Sequence, residues 1–177
     1  MQEVCIDINS WKTCKKEFLE DFFDLSKERA GLCLSYNSNF ENAKILRDTI
    51  AEICEIYDIS EMWKNRLVLI IDELNNNAIE YGSRKEDINK VIFSIINNKD
   101  YCLFNIEVID SGKWKLTKTA KQMEELKEEK IKKWFEKYKS IRGRWLFLII
   151  EKLVDELYFR DWKEGELIVW INKKIEK

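Results

Sequence analysis

The chain has 177 residues, of which 45% are hydrophobic and 36% are charged, and its formal net charge at pH 7 is −2. No apolar run approaches the roughly 20 residues of a membrane span, and the near-neutral charge does not favour nucleic acid as a partner. The absence of histidine excludes a histidine general base, a histidine metal ligand and a phosphohistidine. We therefore expect one globular domain in the cytoplasm that binds neither membranes nor nucleic acid directly.

The cysteines are odd in number and widely scattered, and no two of them form a CxxC pair. This distribution is typical of reduced, mostly buried thiols in a cytosol, and not of a disulfide framework or a zinc site. We therefore expect free thiols at Cys5, Cys14, Cys33, Cys54 and Cys102.

The N-terminal segment, residues 1–30, is expected to be an extension before the main domain at residues 31–177. Apolar residues recur at spacings of three and four over residues 10–29, which predicts a helix. Core packing is the simpler role for its apolar side, and dimerisation is the alternative. Residues 33–36 follow as a short predicted strand.

Two further helices are predicted before the centre of the chain. Ser38 and Glu41 form a capping box before the first, in which each side chain can bond the other's backbone N–H. Ser60 is the predicted cap of the second helix. That helix should end near Gly82, because glycine commonly terminates helices.

The second half of the chain combines strand hairpins with helical sequence. We predict one hairpin over residues 91–110, a lysine-rich, largely helical stretch within 113–140, a helix after Gly143, and a second hairpin over 156–173. This order of elements predicts an α+β fold. The expected architecture is a two-layer α/β sandwich, with a mixed or antiparallel sheet and helices on one face.

The segment IDELNNNAIEYG, residues 71–82, places polar side chains along a helix that should face the core. Glu73, Asn77 and Glu80 lie at positions i, i+4 and i+7, and therefore on one stripe. Burying an unpaired acid or amide costs roughly 1–3 kcal/mol, so this pattern indicates a functional use. The apolar stripe beside it is predicted to consist of Leu67, Ile71, Leu74, Ala78 and Tyr81.

A second candidate residue is Asp110, at the end of a predicted strand that Gly112 helps to break. Alternation with period two places this carboxylate on the inward side of the strand, together with Phe104, Ile106 and Val108. It is either a strand-end residue turned to solvent or a buried acceptor for the amino group of a ligand. Combined with the acid and amide of the preceding helix, the second interpretation is favoured.

A third candidate is the junction before the last predicted helix, where Gly143 lies between Arg142 and Arg144. Free backbone N–H groups and the positive end of a helix suit a phosphate, and the two arginines add positive charge. An ordinary helix start is the alternative interpretation of this junction.

Taken in order, these segments resemble the N, G1 and G2 boxes of the gyrase/histidine-kinase/chaperone ATPase superfamily (the Bergerat fold), in particular those of anti-sigma-factor serine kinases. The similarity covers residues 32–175. The N box is matched by Glu73, Leu74, Asn77, Ala78, Ile79 and Gly82; the G1 box by Asp110 and Gly112; and the G2 box by Gly143, Arg144, Leu146, Phe147, Leu148 and Ile149.

The resemblance implies a site for ATP and Mg²⁺. Asn77 would ligand the Mg²⁺, which keeps most of its octahedral shell as water and phosphate oxygens. Glu73 would orient or deprotonate the attacking hydroxyl. Asp110 would accept a hydrogen bond from the adenine amino group, and Gly112 would leave room for the base.

The phosphates, by the same resemblance, would meet Gly143 and Arg144. Residues 113–140 fall where this superfamily has its mobile ATP lid. They contain ten lysines against five glutamates, which would favour a polyanionic ligand nearby. A solvated helical face is the alternative explanation of this charge run.

The sequence departs from the superfamily pattern at two positions. Trp114 replaces the second glycine of the G1 box, and Trp145 replaces the second glycine of the G2 box. A glycine lets the backbone approach the nucleotide closely because it has no side chain. An indole at either position could fill the phosphate pocket, or it could swing aside and stack on the ligand.

The resemblance therefore implies an ATP-binding regulatory protein that binds a sigma factor or similar partner and phosphorylates a serine of a small antagonist protein. Anti-sigma kinases often dimerise, so a homodimer is also implied. The alternative is a non-catalytic interaction module whose nucleotide site is degenerate. A third interpretation, a detached histidine-kinase catalytic domain acting on a partner, fits less well, because only two short helices lead to the N box.

Overall fold

A computed structural model of the chain describes residues 5–11, 19, 23, 28–113, 117–134 and 152–177. Within these ranges it contains six strands and three α-helices. The strands are β1 (Cys5–Asp7), β2 (Arg29–Asn37), β3 (Ile88–Asn97), β4 (Tyr101–Ile109), β5 (Glu156–Asp161) and β6 (Leu167–Glu176), and the helices are α1 (Ala43–Ile56), α2 (Glu61–Asn77) and α3 (Ala120–Trp134). No helix in the described ranges is long and apolar enough to cross a membrane.

The strands form one mixed sheet in the order β1-β2-β3-β4-β6-β5. Strand β1 runs parallel to β2, and all other neighbouring strands are antiparallel. In the central strands, Val91 pairs with Val108, and Val108 pairs with Val169. Both predicted hairpins are therefore confirmed, as β3–β4 and β5–β6.

One face of the sheet forms the core together with α1 and α2. Alternate residues of β4 are buried, as the period of a half-buried strand requires. Helix α1 contributes Leu46, Ile50, Ile53 and Cys54 to the same hydrophobic cluster, at helical spacing. Burial of each large apolar side chain contributes about 1.5–3 kcal/mol, so this layer holds the fold together. The predicted α+β two-layer sandwich is confirmed.

The N-terminal segment is part of the same core. Trp11 is 1% exposed, and its indole Nε1 donates to Thr49 Oγ1 of α1 at 2.9 Å. Leu19 and Phe23 are buried in the same cluster. Core packing of this segment is thus confirmed, whereas the domain boundary after residue 30 stays a prediction. Residues 8–11 are helical, and most of the predicted helix over 10–29 lies outside the described residues.

The prediction of free thiols is wrong for one pair of cysteines. Cys5 and Cys33 lie opposite each other on β1 and β2, with their Cα atoms 4.4 Å apart, and they form a disulfide. This pairing was missed because a three-residue strand has no detectable periodicity, so nothing in the sequence brought Cys5 beside β2. Cys54 and Cys102 are buried free thiols as expected, and Cys14 lies outside the described residues.

Helix starts follow the predicted positions only in part. The side chain of Asn39, and not that of Ser38, accepts the N–H of Glu41 at 3.0 Å. It caps a short 3₁₀ turn, Phe40–Asn42, that precedes α1. Ser60 is the N-cap residue of α2 as expected, although its side chain makes no capping hydrogen bond.

Candidate functional site

The C-terminal end of α2 carries the acid and amide that the sequence singled out. Glu73 and Asn77 are both half-buried in the last turns of the regular helix. One π-helical turn follows, Ala78–Gly82. Such wide turns occur often at functional sites. The turn also rotates Tyr81 outward, where it is 45% exposed. The predicted apolar stripe is therefore wrong at Tyr81 and confirmed at its other four positions.

The side-chain amide of Asn77 is oriented by the helix itself. Its Nδ2 donates to the main-chain carbonyl oxygen of Glu73 at 2.5 Å. No donor from the described ranges reaches its Oδ1 atom. An amide oxygen that is held in place and free to coordinate is a ligand that Mg²⁺ accepts.

Glu73 is a carboxylate without a cationic partner in the described part of the chain. Burial raises the pKa of Glu73, and the neighbouring charges of Asp72 and Glu80 raise it further. Arg47 of α1 forms its ion pair with Asp72 and so does not neutralise Glu73. A partly desolvated, unpaired carboxylate of this kind is suited to accept a proton.

Asp110 is 6% exposed at the end of β4 and points into the core side of the sheet, as alternation predicted. Its Oδ1 atom accepts two backbone N–H groups, from Gly112 at 2.9 Å and from Leu167 at 3.2 Å. Burial raises the pKa of Asp110 to about 6, although both hydrogen bonds oppose this shift. The Oδ2 atom accepts no hydrogen bond from the described residues.

Gly82 brings the end of α2 directly against Asp110. A Cβ atom built on Gly82 would lie 2.1 Å from Asp110 Oδ2 and 2.3 Å from its Cγ. Only glycine permits this approach. Asn77 is the residue that directly precedes the π-helical turn ending at Gly82. Asp110 therefore lies at the C-terminal end of the helix that carries Glu73 and Asn77.

Gly112 has a second glycine as its close neighbour. Its φ angle is +64°, and a Cβ atom there would lie 1.9 Å from the carbonyl oxygen of Gly165. Gly165 is in the short turn between β5 and β6. Gly112 was predicted to break the strand after Asp110, but its contact with Gly165 could not be predicted, because the two glycines are 53 residues apart in the chain.

A family model described as the histidine kinase-like ATPase domain matches residues 36–173. The match covers well over half of the chain and contains Glu73, Asn77 and Asp110. The chain belongs to this family. This match confirms the predicted superfamily. Domains of this family in general bind ATP with Mg²⁺.

Among the solved structures that are similar to this histidine kinase-like ATPase domain is a chain in the crystal structure of the SiaB–SiaC complex from Pseudomonas aeruginosa, with 10% sequence identity and a TM-score of 0.47. The likeness covers 92% of the present chain and 97% of the other. Among curated proteins, no sequence matches this chain significantly.

Four residues of the ATPase domain form a polar cluster that joins the end of α2 to the loop after β4. Ser83 Oγ donates to Asn89 Oδ1 and accepts the N–H of Ser111 at 3.0 Å. Ser111 Oγ in turn donates to Asp87 Oδ2 at 2.8 Å. This cluster was not predicted from the sequence. The available signal was that one serine directly follows Gly82 and the other directly follows Asp110.

Helix α3 corresponds to part of the predicted lid of the ATPase domain. The N–H of Ala120 donates to Asp161 Oδ1 at 2.7 Å, and Lys127 Nζ donates to the carbonyl oxygen of Leu157 at 3.3 Å. Helix α3 thus runs along β5. Four residues of the predicted phosphate region lie outside the described residues: Trp114, Gly143, Arg144 and Trp145.

The described residues were also searched for metal-binding clusters and for grooves away from Asp110. No group of three or more cysteine, aspartate and glutamate side chains in the described ranges forms a metal-binding cluster. A groove of about 440 Å³ lies on the opposite face of the sheet, lined by Glu107, Tyr158, Phe159, Arg160, Ile168 and Trp170. It is separated from Asp110 by the sheet itself.

Gly82→Ala tests the contact between α2 and Asp110. The new methyl group must displace the buried carboxylate of Asp110, which two backbone hydrogen bonds to Oδ1 hold in place. We therefore expect at least a tenfold loss of nucleotide affinity. We also expect a loss of about 1–3 kcal/mol in the free energy of unfolding. Urea unfolding and ADP titration measure the two effects.

The matched control is Gly31→Ala, because a Cβ on Gly31 would meet its nearest atoms at 3.5 Å, an ordinary contact. Equal stability and equal ADP affinity in the two variants would contradict the arrangement of Gly82 and Asp110.

Proposed function

We propose that this ATPase domain binds Mg–ATP at the junction of α2 and β4 and acts as a regulatory protein serine kinase. The observation that carries the proposal is the free Oδ2 atom of Asp110. It is a buried acceptor beside Gly82, at the end of the same helix that holds the free amide oxygen of Asn77. A buried carboxylate with an unused acceptor is costly for folding alone, which favours a role in ligand binding.

The proposed roles of Glu73, Asn77 and Asp110 are supported by the resemblance and by their surroundings, and those of Gly143 and Arg144 by the resemblance alone. Asp110 accepts a hydrogen bond from the amino group of the base. Asn77 Oδ1 would hold Mg²⁺, which when bound would neutralise charge on the phosphates. Glu73 accepts the proton of the attacking serine hydroxyl, a role that its raised pKa suits. Gly143 and Arg144 bind the phosphates. Phosphoryl transfer depends mainly on such positioning and charge stabilisation.

The partners proposed are a sigma factor or similar protein, and an antagonist protein that carries the phosphorylated serine. Support for these partners comes from the resemblance of the three sequence boxes to those of anti-sigma-factor kinases. The same resemblance supports a cytoplasmic location and a homodimer. Direct binding to nucleic acid is not part of the proposal, since the net charge is −2.

The test uses ATP labelled on its γ-phosphate, Mg²⁺, the full-length chain and the soluble proteins of the organism that encodes it. We expect label on a serine of one small protein, identified by mass spectrometry. Glu73→Gln should reduce the transfer by a factor of roughly 10² or more and leave ADP affinity unchanged.

Glu80→Gln is the matched control for that test, because Glu80 lies on the exposed side of the next turn. Transfer that persists in Glu73→Gln, or is lost equally in Glu80→Gln, would refute the role of Glu73.

A second candidate function is a non-catalytic interaction module. The observation that favours it is the presence of Trp114 and Trp145 where the sequence boxes normally have glycine. The labelling experiment separates the two functions. A module would bind its partner protein in the extract without transferring label, with or without Glu73.

A further inference from the structure

The disulfide between Cys5 and Cys33 lies at one edge of the sheet. Strand β1 is the outermost strand on this side, and its three residues pair in parallel with residues 33–35 of β2. Leu32 and Leu34, the neighbours of Cys33 in β2, are part of the hydrophobic cluster between the sheet and the helices. Because side chains alternate along a strand, Cys33 faces the other side of the sheet. The disulfide therefore ties β1 to β2 on the face opposite the helices.

The two cysteines of this disulfide differ in exposure. Cys5 is exposed to solvent, whereas Cys33 is only 5% exposed. Exposed disulfides are the ones that exchange readily with thiols and serve regulatory roles. A cytoplasmic location, proposed above, adds to this expectation, because disulfides there are usually transient and either catalytic or redox-sensing. The exposure of Cys5 itself does not depend on that location.

The other contacts of the N-terminal segment are unevenly distributed along the chain. Within β1, the Ile6 side chain packs partly against the core, and its carbonyl oxygen accepts Ser35 Oγ at 3.5 Å, a long hydrogen bond. After β1, Ile8 and Trp11 are each 1% exposed, and Trp11 bonds to Thr49 of α1. Residues 8–11 are thus anchored in the core without help from the disulfide. Three parallel strand pairs are a weak attachment, so residues 5–7 depend on it.

We propose that the Cys5–Cys33 disulfide undergoes reversible exchange with a dithiol reductant, and that its redox state determines whether β1 stays on the edge of β2. A thiolate of the reductant attacks Cys5 Sγ and breaks the S–S bond, whose electron pair leaves on Cys33 Sγ. The second thiolate of the reductant then attacks the mixed disulfide and releases Cys5 Sγ. Both cysteine sulfurs take up a proton. The protein thus gains two electrons and two protons, and the reductant leaves as a disulfide.

Release of β1 changes the edge of the sheet. Without β1, the backbone N–H and C=O groups of residues 33–35 that face it lose their partners, and β2 becomes the outermost strand. An uncovered strand edge is a template for pairing with another strand. The oxidised protein therefore has this part of β2 covered, and the reduced protein has it open, while Ile8 and Trp11 keep the following residues in place.

The first test measures how fast dithiothreitol reduces the disulfide in the folded protein and in urea. It uses a Cys14→Ser variant, since Cys14 lies between the two cysteines in the sequence and would offer a third thiol. Alkylation and mass spectrometry identify the reduced cysteines. We expect the rate for the folded protein to lie within roughly tenfold of the rate in urea, as for an exposed disulfide. A larger difference would mean that reduction requires unfolding and would overturn the proposal.

The buried free thiols are the internal control of this experiment. Burial raises the pKa of both Cys54 and Cys102, so both should resist alkylation while the chain is folded. Alkylation of Cys54 at the same rate as Cys5 would show that reduction unfolds the core, and the disulfide would then be a structural bond. Failure of the air-oxidised protein to contain the Cys5–Cys33 link would also overturn the proposal.

The second test follows hydrogen exchange by NMR in the oxidised protein, the reduced protein and a Cys5→Ser variant. Residues 5–7 and the β2 amides that face them should exchange at least roughly tenfold faster in the last two, because β1 opens locally. Exchange of the Trp11 indole N–H should not change, and oxidised dithiothreitol should restore protection in the reduced protein only. The matched control is Ser35→Ala, which removes the long hydrogen bond to Ile6 and keeps the disulfide.

Equal protection of β1 in the oxidised and reduced proteins would overturn the proposal, as would a loss of protection throughout the chain on reduction. Ser35→Ala should exchange like the oxidised wild type, and a β1 that opens equally in this variant would show that the disulfide does not hold the strand. Neither test involves nucleotide. Failure of the proposed kinase function can therefore be distinguished from failure of this redox proposal.

Discussion

Replacing Asn77 with alanine is expected to abolish the Mg²⁺-dependent part of nucleotide binding while leaving the fold intact. Wild-type affinity for ADP should rise with Mg²⁺, and the variant should bind ADP equally in Mg²⁺ and in chelator. We expect a loss of roughly 10- to 100-fold in the presence of Mg²⁺, the usual range when a metal site loses a supporting group. Calorimetric titration with ADP measures both affinities.

The fold should tolerate this change because alanine is the best helix former. The amide of Asn77 makes one hydrogen bond, to its own helix at Glu73, and that bond is worth only about 0.5–1.5 kcal/mol. Asn76→Ala is the matched control, since Asn76 is the next residue and is also half-buried. If Asn77→Ala kept a full Mg²⁺ response, or if Asn76→Ala lost it equally, Asn77 would not be the metal ligand.

Replacing Asp110 with asparagine is expected to stabilise the ligand-free protein above pH 6 and to weaken nucleotide binding. The folded-state pKa of Asp110 is about 6, above its ordinary value of 3.8. The carboxyl group therefore favours the folded state fully below about pH 4, and this contribution is lost as the pH rises through 6. A shift of this size corresponds to about 2–3 kcal/mol.

Urea unfolding between pH 3.5 and pH 7.5 measures this effect. Relative to the wild type, Asp110→Asn should gain about 2–3 kcal/mol across the range, because an amide cannot become charged. Its affinity for ADP should fall at the same time, because the acceptor for the base amino group is gone. If the free energy of unfolding changed with pH in the same way in both proteins, the buried state of Asp110 would be contradicted.

Asp155→Asn provides a control of opposite sign. Burial raises the pKa of Asp155, but hydrogen bonds from Lys173 and Lys174 outweigh it and leave the pKa lowered. A group with a lowered pKa stabilises the folded state above its ordinary value and loses this contribution as the pH falls. The two substitutions should therefore change the pH profile in opposite directions.

Much of the fold could be predicted from the sequence because its signals are local. The alternation of β4 and the 3.6-residue periodicity of α1 depend on neighbouring residues only, and both elements are observed. The missed features depend on contacts between distant residues. Strand β1 has three residues and is defined by its pairing with β2, so the Cys5–Cys33 disulfide could not be predicted either.

The residues of the candidate site also fall into those with a local sequence signal and those defined by contacts between distant residues. Glu73, Asn77 and Asp110 could be found because charged or amide side chains interrupt apolar patterns at these positions. The polar cluster of Ser83, Asp87, Asn89 and Ser111 could not be found, because serine, aspartate and asparagine near a turn are ordinary residues there. Its hydrogen bonds form only when the strands pair and bring the residue after Gly82 to the residue after Asp110.

The central claim is that the junction of α2 and β4 binds a magnesium–adenine nucleotide. Calorimetric titration of ADP into the wild-type chain, with Mg²⁺ and with chelator, tests it most directly. We predict a dissociation constant on the order of micromolar with Mg²⁺ and clearly weaker binding in chelator. An absence of binding up to about millimolar ADP with excess Mg²⁺, in a protein that is folded by circular dichroism, would contradict the claim.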